Sequence, residues 1–180
     1  MKPSNKNKKD PIKFLLVGLD NSGKTSILKC LKGVKHLSAF NSPQPTRGAA
    51  VDNFKVFDSD YAIWDLGGQE IYRNEYLHNF QDYLKGTKKI IYVFDIQDVK
   101  RYAIALEYME NVIGSIDKQK EIEFSIFLHK FDPDLKFDQE LNEQIIDDLI
   151  KKIKDTIPPN FVYSLYKTSI YAIFEKSTII

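Results

Sequence analysis

The octapeptide Gly18-Leu19-Asp20-Asn21-Ser22-Gly23-Lys24-Thr25 fits the pattern GxxxxGK[ST] and constrains this chain more than any other segment. It follows IKFLLVG at 12 to 18, a short apolar run bounded by Pro11 and Gly18, as expected of a strand buried on both faces. A helix is expected from about Lys24 to Lys32. A buried strand that passes through such a loop into a helix gathers successive backbone N–H groups and the helix amino terminus around one concavity, where a polyphosphate can lie. In that setting Lys24 adds a point charge between phosphate oxygens, and the Thr25 hydroxyl is a ligand for magnesium. Asp20, Asn21, Ser22 and Gly23 complete the loop.

The rest of the chain supplies matching architecture. Residues 33 to 48 contain Gly33, Pro43, Pro45 and Gly48 with little periodicity, and a loop that long in a compact domain is usually functional. Alternation predicts strands over Val51–Phe57 and Tyr61–Leu66, separated by DSD at 58 to 60. Gly67 and Gly68 open a helical stretch that runs roughly to Leu84, and KKIIYVFDI at 88 to 96 is a second apolar strand. Helical spacing returns from Tyr102 to Ile113, FSIFLH at 124 to 129 is a third buried strand, and Leu141, Ile145, Ile146, Leu149, Ile150 and Ile153 mark an amphipathic helix. Pro158 and Pro159 end it; a last strand over Phe161–Tyr166 and a short helix from Ser169 are expected to close the chain. Buried strands alternating with helices predict an α/β domain with a mostly parallel six-stranded sheet and helices on both faces. Ligands in such folds bind at the carboxyl ends of the strands.

Two further motifs sit at those ends. Asp65-Leu66-Gly67-Gly68-Gln69 ends an apolar strand. Asp65 can hold a magnesium-bound water there, Gly68 can bring its amide close to a γ-phosphate, and Gln69 has a donor and an acceptor with which to orient an attacking water. His129-Lys130-Phe131-Asp132 follows the third buried strand. One carboxylate at Asp132 can accept both adjacent donors of guanine, N1–H and the 2-amino group, whereas adenine presents no such pair. Thr168-Ser169-Ile170 can add a backbone N–H for guanine O6.

Composition excludes several other classes. With 26 basic and 25 acidic residues, the net charge of +1 provides no basic excess for nucleic acid. Cys30 is the single cysteine, so an internal disulfide and a cysteine-based zinc site are ruled out. No apolar run reaches the ~18 residues of a membrane span, and MKPSNKNKKD lacks the apolar stretch of a secretory signal. Lys2 stands where N-myristoylation requires glycine and STII holds no prenylatable cysteine, so no lipid anchor is encoded and a cytoplasmic protein is expected. Residues 1–11 read as a disordered basic lead-in, either a solvated tail or an electrostatic tether, and 12–180 as one domain.

In order and spacing these motifs resemble the Ras-superfamily small GTPases over residues 12 to 180. GLDNSGKTS, WDLGGQE and Pro45-Thr46-Arg47-Gly48 look Arf-like, while YVFD, LHKFD and TSI look more like the Rag group. The resemblance implies a P-loop NTPase G domain that binds GTP or GDP with magnesium and hydrolyses GTP. It further implies that Thr46 gives its hydroxyl to magnesium and its amide to the γ-phosphate. Gly68 would contact the γ-phosphate, Ser26 the α-phosphate, and the Lys130 stem the base. Asp20 is ordinary at its position in the Arf-like group. His129 replaces the usual asparagine, Ala49 an effector-binding phenylalanine, and Tyr171 a common lysine; the Arf amino-terminal helix is missing.

These readings describe a switch in which residues of about 34 to 50 and 67 to 80 rearrange as the γ-phosphate is lost. Effectors, an activating protein and an exchange factor are the implied partners, a peripheral place at membranes through such partners is allowed, and a homo- or heterodimer is permitted. No arginine stands in a recognisable position for a finger in cis, so slow turnover is expected. Tyr72 and Tyr76 are candidates either for partner contact or for core packing. Two rivals stay open: a GTP-bound interaction or dimerisation module with little hydrolysis, and a P-loop kinase or ATPase.

Overall fold

The apolar run at 12–18 becomes the centre of a sheet. A computed structural model of the protein describes residues 10–33, 44–56, 58–117 and 121–170. The elements are β1 (Ile12–Val17), α1 (Lys24–Leu31), β2 (Ala49–Val56), β3 (Ser59–Leu66), α2 (Glu70–His78), α3 (Phe80–Leu84), β4 (Thr87–Asp95), α4 (Tyr102–Gly114), β5 (Glu123–His129), α5 (Glu143–Thr156) and β6 (Ser164–Lys167). The six strands run in the order β2-β3-β1-β4-β5-β6. Only the β2–β3 pair is antiparallel.

β1 has β3 on one side and β4 on the other, with Leu16 opposite both Asp65 and Ile91. Parallel pairing therefore brings the carboxyl ends of β1, β3, β4, β5 and β6 to one edge, and strand order reverses beside β1, where open α/β sheets bind ligands. The pleat sends alternate residues to opposite faces. Leu15 and Val17 join Tyr92, Phe94, Leu128 and the apolar sides of α4 and α5, while Leu16 joins Ile63, Ile91, Val93 and the α1 residues Ile27 and Leu28. Helices thus cover both faces, each closing its own apolar layer. Two buried tyrosines tie α4 to β4 and the segment after it, Tyr92 donating to the Ala105 carbonyl at 2.6 Å and Tyr102 to the Ile96 carbonyl at 2.5 Å.

The amphipathic helix forms as its spacing requires. Ile146, Leu149 and Ile153 are buried on one side of α5, each such side chain contributing roughly 1.5–3 kcal/mol by leaving water. Asn142 stops the helix at its amino end by accepting the Ile145 N–H at 3.0 Å. Leu141 precedes that cap and is buried outside the helix.

Elsewhere boundaries move. The helix expected from the glycine pair to Leu84 begins only at Glu70 and breaks at Asn79, whose backbone leaves the helical region (φ −119°, ψ 24°). Asparagine's short amide makes such a departure inexpensive, and the break lets α3 bury Phe80 and Leu84 independently of α2. Ser59 and Asp60, expected in a turn, begin β3, because Val56 pairs directly with Ser59. The last strand is shorter than expected: Phe161–Tyr163 stay irregular and β6 starts at Ser164. Ser169 and Ile170 are not helical, and the remainder of the expected terminal helix lies outside the described residues, as do residues 1–9 of the lead-in and 34–43 of the long loop. No helix among the described residues is long and apolar enough to cross a membrane.

Candidate functional site

The loop after β1 has the backbone its residue types demand. Gly23 has φ +94°, and a Cβ there would lie 2.5 Å from His129 Cδ2 and 2.8 Å from its Nε2, so both conformation and space exclude a side chain. α1 then starts at Lys24 with no side-chain cap and no acidic residue in its first turn, which leaves its amino end receptive to an anion. Lys24 is 5% exposed and donates from Nζ to the Gly18 carbonyl at 3.0 Å and the Leu19 carbonyl at 2.7 Å. Burial pushes its ammonium down to about 8, although Asp65 and then Asp20 favour the charge. A cation held in a dry loop gains most from an anionic ligand. The cavity it borders, about 290 Å³, is lined by Asp20, Asn21, Ser22, Gly23, Lys24, Thr25, Ser26, Gln44, Pro45, Thr46, Gly68, Gln69 and Lys130.

Below the loop lies a corner of oxygens. Thr25 at the start of α1 donates from Oγ1 to Asp65 Oδ2 at 2.6 Å, Thr46 does the same at 3.1 Å, and the two hydroxyls are 3.0 Å apart. Asp65 is 1% exposed and its Oδ1 has no hydrogen-bond partner. A buried carboxylate oxygen without a donor, next to three crowded oxygens, fits a small hard cation such as magnesium, which takes few protein ligands and keeps several waters.

The glycine pair joins three segments. Gly67 N–H is shared between the Gly48 carbonyl at 3.0 Å and the Tyr76 hydroxyl at 3.2 Å. Gly68 lies against the phosphate loop so closely that a Cβ would be 2.1 Å from the Asp20 nitrogen and 2.2 Å from the Leu19 carbonyl carbon. Gln69 takes the N-cap position of α2 with an extended backbone, and its side chain does not cap the helix. Tyr76 is 1% exposed and burial pushes its hydroxyl up to about 12, so it is a core residue and not a partner contact. Tyr72 is half-buried against the same core, and the exposed apolar residue of α2 is Ile71.

At the end of β5, His129 is buried and its Nδ1 is 2.9 Å from Thr168 Oγ1. Burial, then the neighbouring Lys130 charge, push the imidazole down to about 4, so the ring is neutral, with Asp132 acting weakly the other way. Lys130 has a left-handed backbone (φ +62°) and donates from Nζ to Asp95 Oδ2 at 2.6 Å. Asp132 accepts the Ser169 hydroxyl on Oδ1. Ile170 packs its side chain against the α1-side core.

Of the residues singled out in the sequence, the loop set, Thr46, Gly68, Gln69 and Lys130 share one cavity, with Asp65 beneath it. His129, Asp132 and Ser169 form an adjoining cluster, tied in through the contact of His129 with Gly23. Sequence reasoning missed Arg101, which binds Asp98 from Nε at 2.5 Å and spans to the loop, meeting Asp20 Oδ1 at 2.7 Å and the Asp20 carbonyl at 3.1 Å. It also missed Asp95 and Gln97, and it did not foresee the contacts of two residues it named, Thr168 with His129 Nδ1 and Tyr76 with the Gly67 N–H. Asp95 alone left a signal, as a carboxylate ending a buried strand.

The sequence profile of the ADP-ribosylation factor family matches residues 2–165. The chain is 33% identical over 126 residues to ADP-ribosylation factor-like protein 6 of Danio rerio, covering 69% of this chain and 64% of that protein. It is 34% identical over 121 residues to ADP-ribosylation factor-like protein alp41 of Schizosaccharomyces pombe, covering 67% and 59%. The matched part is therefore less than two thirds of the length of either relative. Among solved structures, the Arl6 small GTPase of Trypanosoma brucei with a bound nucleotide analogue superposes with TM-score 0.63 at 20% identity, covering 89% of this chain and 87% of that one. The mammalian SRP receptor structure superposes with TM-score 0.64 at 18% identity, covering 87% and 90%. At these identities the superpositions establish the fold, while the profile, matched from residue 2 to 165, establishes descent: the chain belongs to the ADP-ribosylation factor family of Arf-like, Ras-superfamily small GTPases.

Proposed function

We propose that this chain is a guanine-nucleotide switch that binds GTP or GDP with magnesium and hydrolyses GTP slowly to GDP and phosphate. The observation that carries the reading is the oxygen corner of Thr25, Thr46 and Asp65 placed directly beneath a lysine-lined phosphate cradle. Residues 12–180 act as the G domain, with 1–11 as a lead-in. The loop amides of Asn21 to Thr25 and the Lys24 ammonium receive the β- and γ-phosphates, and Ser26 meets the α-phosphate. Thr25 and Thr46 would hold magnesium, with Asp65 acting through a water; when bound, the ion neutralises charge that develops on the phosphate oxygens. The Gly68 amide meets the γ-phosphate, and Gln69 orients the attacking water in line with it.

Asp132 reads the base by accepting N1–H and the 2-amino group together, Lys130 covers its face, and the Ile170 amide faces O6. His129, kept neutral, occupies the place of the usual asparagine and links the base-reading segment to Gly23. Intrinsic turnover on the order of 10⁻⁴ to 10⁻² s⁻¹ is expected, raised by an activating partner. Such a switch works in the cytoplasm and reaches membranes through its partners.

Identification of the nucleotide that copurifies with the protein tests the reading, and GDP or GTP is the expected result; an adenine nucleotide would contradict the role given to Asp132. Phosphate release by Gln69→Leu should fall at least ~10-fold below wild type, in line with loss of a water-positioning group. Equal rates would favour a binding module without useful hydrolysis.

A further inference from the structure

We propose that Gln97 is a specificity-determining positioning residue of the base site, because its side-chain amide fixes the direction in which Asp132 presents its carboxylate. The inference rests on the guanine reading of that site. Gln97 follows β4, and its Nε2 lies 2.9 Å from the Lys130 carbonyl and 3.3 Å from Asp132 Oδ2. Both neighbours only accept, so the NH₂ end of the amide must face them, and its two N–H bonds supply one each. The backbone of Gln97 is held in turn, its N–H donating to Asp95 Oδ1 at 3.0 Å while the other oxygen of Asp95 takes the Lys130 ammonium. One carboxylate at the end of β4 therefore anchors both ends of the bracket.

Two consequences follow for the base. The left-handed backbone at Lys130, unfavourable for a residue with a Cβ, is held by a donor on its carbonyl, and that backbone sets where Asp132 begins. Asp132 also has both oxygens engaged, Oδ1 by the Ser169 hydroxyl and Oδ2 by Gln97. A carboxylate offers about four lone-pair sites, so one site per oxygen is left for a ligand. Two parallel acceptors match the two adjacent donors of guanine. Hypoxanthine presents N1–H alone and uses only one of them. Without the Gln97 donor the carboxylate can turn about its terminal torsion, and the advantage of the second donor shrinks.

The test is the ratio of GDP to inosine diphosphate (IDP) affinity, measured on the full chain by displacement of a fluorescent GDP analogue. Gln97 is exposed, so its replacement leaves the core unchanged. Gln97→Met, similar in length but with no donor, should cut the preference for GDP over IDP by about threefold or more, the low end of the net weight of one hydrogen bond. Gln97→Glu should cut it at least as far. A ratio that stays at the wild-type value or rises in the Met variant overturns the proposal, even if both affinities drop. So does a lowered melting temperature with an unchanged ratio, which would assign Gln97 to stability alone. Wild-type protein that binds neither nucleotide would refute the guanine reading itself; an unchanged ratio refutes only the role of Gln97.

Discussion

The imidazole of His129 should make stability depend on pH in a calculable way. The ring is 1% exposed, abuts Gly23 and meets Thr168 at 2.9 Å. Burial and Lys130 bring it to about 4, against 6.5 for a free histidine. In the unfolded chain the ring takes up a proton as pH falls through about 6.5, whereas the folded protein resists until about pH 4, so between those values the unfolded state binds more protons. Stability is therefore intact above the upper limit and is lost as pH falls. The loss is about 1.4 kcal/mol per pH unit, roughly 3 kcal/mol over the whole window. Urea unfolding of wild type and His129→Asn, each with saturating GDP and magnesium, at intervals from pH 7.5 to 4.5, isolates the effect because other titrating groups are common to both. The wild-type curve should decline relative to the variant by about 2 to 3 kcal/mol by pH 4.5. A difference that stays flat across this range, or an imidazole NMR titration in the folded protein near 6.5, would refute the reasoning.

Two further outcomes follow from local geometry. Asn142→Ala removes the side-chain acceptor for the Ile145 N–H and should cost about 1 kcal/mol in denaturant unfolding, with nucleotide affinity unchanged. Gly68→Ala would place a Cβ 2.1 Å from the Asp20 nitrogen; because the obstruction is backbone, the segment carrying Gln69 must move by about 1 Å, and GTP hydrolysis should fall by roughly 10²-fold. Normal turnover in that variant would show that the apposition of Gly68 and the loop is not needed for the chemistry.

Residues whose roles are set by their own backbone were legible in the chain. Gly23 and Lys24 announce a strand-to-helix loop because the left-handed turn and the bare helix end are local properties. Asp65 and Asp132 could be placed at the ligand edge because each lies at or just after the end of an apolar strand, and parallel pairing aligns those ends. The spacing of apolar residues from 141 to 153 likewise marked α5. Tyr76 was not legible, since an amphipathic helix offers two faces and only packing chose the inner one. The break at Asn79 was equally hidden, because it depends on how Phe80 and Leu84 reach the core.

What the sequence by itself determined is the order of the motifs along the chain: the glycine-lysine loop at 18–25, the strand end at Asp65, Gln69, and the segment from His129 to Asp132. These depend on short-range patterns, where residue type and immediate backbone are enough. Tertiary structure decided which groups hold that machinery in place. Arg101 meets Asp20 from 81 positions away, His129 meets Thr168 from 39, and Gln97 meets Lys130 from 33. Such pairs arise only after strands take their register and bring separate loops to one edge, because a hydrogen bond requires its partners within about 3 Å and sequence spacing carries no such information.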